Sequence, residues 1–185
     1  IFVQGYRPGG IAERGFSPEQ AAEVRPGIVY VSLCAWSHVG PWARRRGFDS
    51  LVQTATGINR AEAEVAGVDK PVELPCQALD HGAGYLMAAG AITALKRRAE
   101  IGGSWLVRVS LAQVGHWLTG LGRVPDGQKA AKIDRGAVQD LLVDLPSAFG
   151  TMSVMSHAGR LSETPPQWDR PSVALGTHAA AWPMA

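Results

Sequence analysis

Ile28-Val29-Tyr30-Val31-Ser32-Leu33 is the stretch on which the fold turns. It is β-branched and almost continuously apolar, as a strand in the middle of a parallel sheet tends to be. Just upstream, Ser17-Pro18-Glu19-Gln20 reads as a helix start, with Ser at the cap, Pro at the first helical position and Gln20 completing a capping box. That helix ends by Arg25-Pro26-Gly27. Further back, Ile1-Phe2-Val3 reads as a short buried strand, and Tyr6-Arg7-Pro8-Gly9-Gly10 as a turn.

Downstream, an aromatic-rich loop from Trp36 to Arg46 leads to a helix around Phe48 to Thr56. Asn59 to Glu73 is polar and without strong periodicity. Asp80 opens the longest helix, which closes near Arg98. Ser104 to Ser110 alternates as a strand does, and Leu111 to Leu121 returns to helical spacing. Strands alternating with helices define an α/β chain. The chain reads as three segments: 1–122, which carries the α/β pattern; 123–163, poorly defined until a late strand over Met152 to Ala158; and 164–185, an extended arm with Pro165, Pro166, Pro171 and Pro183 beside Trp168 and Trp182.

The chain has 185 residues, of which 46% are hydrophobic and 18% charged, enough to bury a core. A net charge of +2 is too small to argue for nucleic acid. Arg44-Arg45-Arg46 and Lys96-Arg97-Arg98 are short clusters, suited to a polyanionic ligand or, for the second, to a helix C-terminus. Cys34 and Cys76 lack metal-ligand spacing and read as buried thiols of a reducing cytoplasm. With the five His residues they form no standard zinc set, so no metal is expected. No apolar run reaches a membrane-spanning length, so no membrane span is expected. The start on Ile1, within what reads as a strand, suits a segment of a longer chain.

Leu79-Asp80-His81-Gly82-Ala83-Gly84-Tyr85 precedes the apolar run Leu86 to Leu95. Asp80 has two readings there. It is an N-cap, or it is a reachable carboxylate facing a gap left by small residues, and so a candidate nucleophile.

Four pieces bear on that choice: Tyr6-Arg7-Pro8-Gly9; Ile28 to Ser32 leading to Gly40-Pro41-Trp42-Ala43; Gly47-Phe48-Asp49 with Gln53 and Gly57; and Asp80 with Gly90 and Ala94-Leu95. In this order they resemble the family III CoA-transferases, which include the formyl-CoA and carnitine CoA-transferases. The resemblance covers about residues 1–122, and the tail is similar to the C-terminal end of longer members. It implies a Rossmann-like, mostly parallel sheet with flanking helices, part of a larger coenzyme A-binding domain, in an interlocked dimer or completed by an adjoining N-terminal polypeptide.

The same resemblance implies the chemistry. Asp80 would attack an acyl-CoA thioester, giving a mixed anhydride and then an aspartyl-CoA thioester that a carboxylic acid resolves. Coenzyme A is thus a substrate. Tyr6, Arg7, Arg46, Gly47, Phe48 and Asp49 fall on positions that line its site, Tyr6 against adenine, Arg46 near a phosphate and Asp49 facing the same pocket. The family's arginine after the R-P-G turn falls on Glu13, and its glycine loop is not evident. The racemases of this fold pair Asp with His in a G-H-D motif; here Phe48 stands where the His is needed and accepts no proton. The other reading is a non-catalytic subunit or fragment supporting a partner chain, in keeping with the six Trp residues, of which Trp105 and Trp117 read as core.

Overall fold

A computed structural model of the chain describes residues 1–181; Trp182 and Pro183 of the expected arm lie outside the described residues. The chain divides into two compact units, the first Ile1–Gln128 and the second beginning at Lys129.

The first unit is built on three parallel strands in the order β1 (Phe2–Gln4), β2 (Val29–Cys34), β3 (Trp105–Ser110). β2 is central, and Val29, Tyr30, Val31, Ser32 and Cys34 are all buried, as its unbroken apolar run requires. β1 corrects one expectation. It is an edge strand in which Val3, like Ile1 just before it, stays exposed, and only Gln4 is buried. α1 (Pro18–Val24) connects β1 to β2 and carries the capping box read from sequence, with Ser17 Oγ accepting from Gln20 N and Gln20 Oε1 accepting from Ser17 N.

α4 (Ala78–Ile101) packs along one face of the sheet. Ala91 and Ala94 join Val29 and Val31 there, with Trp105 and Val107 beside them. Contact at Gly90 is closest: a Cβ on it would stand 2.6 Å from Val107 Cγ1, so only hydrogen fits. A second cluster lies at the carboxyl ends of the strands. Val52 of α2 (Asp49–Ala55), Ile58 of α3 (Ile58–Ala66), Leu79 and Ala83 of α4, and Leu111 and Val114 of α5 (Leu111–Gly120) pack together.

α3 is a helix where the sequence reads as polar and aperiodic. Its buried side, Ile58, Asn59 and Ala63, is too small to mark a period. The basic cluster at the end of α4 is structural: Arg98 Nη1 donates to Gly27 O (2.9 Å), and Arg97 lies over the Trp105 ring. Trp117 corrects another expectation, being 47% exposed rather than core. Cys34 is buried as expected, but Cys76 is exposed.

The second unit holds an antiparallel hairpin, β4 (Leu142–Ser147) and β5 (Gly150–Met155). Ser147 Oγ donates to Gly150 O across the turn. From Ser156 to Ala181 there is no regular helix or strand, and Trp168 stacks on His157 with ring centroids 4.4 Å apart. Among the described residues, no helix is long and apolar enough to cross a membrane.

Candidate active site

The site begins at the first turn of α4. Gln77 is its N-cap and makes no side-chain capping bond, so Asp80 is the third residue of the helix rather than its cap. The capping carboxylate comes from elsewhere. Asp49, the first residue of α2, accepts at Oδ2 from Leu79 N (2.7 Å) and Asp80 N (2.9 Å). Its Oδ1 accepts from Gln53 Nε2, and Asp49 is only 1% exposed. Gln53 also accepts from Leu74 N (3.0 Å) and donates to Cys76 O, tying the segment before α4 to α2. Expected to face a ligand, Asp49 instead has both oxygens engaged within the fold.

That arrangement isolates Asp80. Its side chain is exposed, and among the described residues no side chain forms a hydrogen bond or ion pair with its carboxylate. Gly84 lies one helical turn on and shares its face. Nothing lies within 4 Å of where a Gly84 Cβ would stand, so space beside the carboxylate is open. Gly82 faces the other way, against Val114. Partial burial and the negative charge of Asp49 raise the Asp80 carboxyl above its ordinary value, offset in part by His81. A more basic carboxylate is a stronger nucleophile.

The backbone donors of this turn are already used. Ala78 N donates to Cys76 O (2.8 Å), Leu79 N and Asp80 N to Asp49, and His81 N to Gln77 O (3.1 Å). An oxyanion formed at Asp80 therefore needs donors from another segment.

The remaining expected residues divide into two places. Gly47 and Phe48 lead into Asp49. A Cβ on Gly47 would stand 2.6 Å from the Ala35 Cβ, and Phe48 is 79% exposed, leaving its ring face open. Arg46 is exposed, and its carbonyl accepts from Trp36 Nε1 (3.0 Å). Arg7 lies apart from Asp80, on a small recess of about 120 Å³ shared with Gln4, Tyr30, Ser32, His38 and Arg108. Tyr6 beside it is exposed. Glu13, after the Arg7-Pro8-Gly9 turn, pairs with Arg44.

Sequence reasoning passed over the polar group on the second face of the sheet. Ser32 Oγ accepts from Gln4 Nε2 and lies 3.0 Å from His38 Nε2, while His38 Nδ1 is 3.5 Å from Cys34 Sγ. This is no thiolate–imidazolium pair. Burial pushes the Cys34 thiol up to about 11 and, with Arg108, holds His38 below its ordinary value, so both stay neutral at neutral pH. A signal was present: Arg108 interrupts the apolar strand Trp105-Leu106-Val107-Arg108-Val109. Among the described residues, no group of three His, Cys, Asp or Glu side chains is placed to hold a metal ion.

A parallel sheet with helices against it, bearing on the first turn of its long helix a carboxylate with no side-chain partner among the described residues, defines an α/β protein of the kind that binds ligands outside its strand termini. Residues 1–124 match the model of CoA-transferase family III, and the chain belongs to that family. It is 30% identical over 122 residues to acetyl-coenzyme A transferase nodX of Hypoxylon pulicicidum, covering 64% of this chain and 21% of that protein. It is 27% identical over 114 residues to the probable fatty acyl-CoA transferase Rv3272 of Mycobacterium tuberculosis, covering 62% and 28%. The crystal structure of Rv3272 matches 64% of this chain and 33% of that chain with a TM-score of 0.59. A CAIB/BAIF family protein from Brucella suis, 20% identical, shares the fold over 80% of this chain and 40% of that chain at a TM-score of 0.55. The chain thus spans about a quarter of the length of these curated relatives.

Proposed function

We propose that this chain carries the nucleophile of a CoA-transferase, and that Asp80 moves coenzyme A between an acyl-CoA and a carboxylic acid. The observation that carries the reading is the state of Asp80: exposed, without a side-chain partner among the described residues, raised in basicity and facing open space beside Gly84. An Asp80 oxygen attacks the thioester carbonyl, and the C–S bond breaks to release CoA thiolate and leave a mixed anhydride. The thiolate attacks the Asp80 carbonyl, freeing the first acid as its carboxylate and leaving an aspartyl-CoA thioester. The acceptor carboxylate attacks that thioester, and returning thiolate takes the new acyl group from the new anhydride. No step needs a net proton transfer, in keeping with a site that offers Asp80 no neighbouring base apart from His81.

Two features support completion of this site by further polypeptide, in an interlocked dimer or through an adjoining N-terminal segment. Among the described residues β1 has no strand on its outer edge, and the backbone donors of the first α4 turn are already engaged. Tyr6, Arg7, Arg46, Gly47 and Phe48 are assigned to coenzyme A on the same reading, with Tyr6 and Phe48 offering exposed ring faces.

Exposure to acyl-CoA followed by hydroxylamine tests the covalent step. The expected result is a hydroxamate mass shift on the peptide containing Asp80. Modification at any other carboxylate, or none under turnover conditions, removes Asp80 from the reaction.

A further inference from the structure

Arg108 stands in an unusual setting. It points from the sheet face opposite α4, in register with Ser32 and, through it, with Gln4. Its guanidinium makes no hydrogen bond or ion pair to another side chain among the described residues. The acid within electrostatic reach is Glu19, whose carboxyl is held low first by hydrogen bonds from its own backbone and Ser17, and only last by Arg108. Arg108 lines an open groove of about 530 Å³ together with Ser37, His38, Leu86, Gln113 and Trp117. That volume is typical of a small-molecule site.

We propose that this groove binds a monocarboxylate with an apolar body, anchored on Arg108. Among the described residues lining it, Arg108 carries the one formal charge, since His38 is held neutral. His38 is also fixed in place by Ser32 and Cys34, so it shapes the polar end without adding charge. A single planar guanidinium matches one carboxylate through two parallel hydrogen bonds, whereas a phosphate dianion leaves half its charge uncompensated. The other wall is aliphatic and aromatic: Leu86, Val109, Val114 and the half-exposed Trp117. Such a wall repays burial of a hydrocarbon or aryl group, not of a small polar acid.

The groove also approaches the nucleophile. Val114 on its wall is the residue against which Gly82 packs, and Leu86 lies on α4 about 9 Å along the axis from Asp80. Resting on the CoA-transfer reading, the groove is the place from which the acceptor acid reaches Asp80. The acceptor class is then an aryl- or alkyl-substituted monocarboxylate rather than a dicarboxylate.

Calorimetric titration of the 185-residue chain with 4-phenylbutyrate, 4-phenylbutanol and inorganic phosphate tests this. The acid is expected to bind, with Arg108→Gln weakening it about tenfold or more and Arg108→Lys weakening it less, and the alcohol is expected to bind about tenfold more weakly than the acid. Asp80→Ala is expected to leave this affinity unchanged. The proposal is overturned if the acid does not bind, if folded Arg108→Gln binds it as well as the parent, if the alcohol binds equally, or if phosphate binds more tightly. The two readings separate cleanly. Arg108-dependent acid binding without any thioester exchange ends the CoA-transfer reading and keeps the groove. Exchange whose KM for 4-phenylbutyrate ignores Arg108→Gln does the reverse.

Discussion

Asp80→Ala is expected to lower thioester exchange by at least about a thousandfold while coenzyme A affinity stays near that of the parent. The exposed carboxylate contributes little to packing, so stability should change by no more than about 0.5 kcal/mol. Loss of turnover with retained fold is the pattern of a reacting group. Steady-state exchange between an acyl-CoA and a carboxylic acid, beside urea unfolding, measures both halves. Normal turnover by the variant would end the role of Asp80. The acid limb of the rate profile carries a second check. In the proposed role only ionised Asp80 can attack, and burial together with Asp49 raises its pKa, so activity should fall away at a higher pH than for an ordinary carboxylate. The stability sign runs the other way from a salt-bridged acid: folding favours the protonated form, so this group's contribution weakens as pH rises from the unfolded value through the folded one. Asp80→Asn should remove both dependences.

Asp49→Ala is expected to act through the fold. It strips one buried and one part-buried backbone donor, Leu79 N and Asp80 N, of a charged acceptor and removes one of the partners of Gln53. The expected loss is about 3 kcal/mol, read as a lower urea midpoint at unchanged slope. Asp49→Asn keeps one acceptor oxygen and should cost less than half of that. It also removes the negative charge that raises Asp80, so the Asp80 carboxyl should titrate lower in this variant by carbon-detected NMR. An unchanged midpoint in Asp49→Ala would show that the α4 start does not depend on this carboxylate. Opposite outcomes are thus expected from two acids whose groups meet at one helix turn: one variant folds and is inert, the other is destabilised.

The central strand, the capping box of α1 and the alternating strand before α5 could be read from residue order because local chemistry decides them. What escaped was decided at a distance. Asp80 resembles a cap in sequence, yet Asp49, far back in the chain, supplies the cap and so releases Asp80 from structural duty. α3 escaped because, after Ile58, its buried residues Asn59 and Ala63 are polar or small. Ile1 and Val3 read as buried, since apolarity does not reveal that a strand lies at a sheet edge. Arg108 and His38 come together only through the parallel register of β2 and β3 and the loop after β2.

The two thiols differ in a way that can be put to use. Cys34 is buried at the end of the central strand and, with its pKa up at about 11, offers almost no thiolate near neutrality, whereas Cys76 is open to solvent four residues before Asp80. A maleimide dye added at mild pH should therefore label a single position without any mutagenesis. Placed at the threshold of the long helix, such a label would test the proposed binding of acyl-CoA there, as a change in fluorescence on mixing.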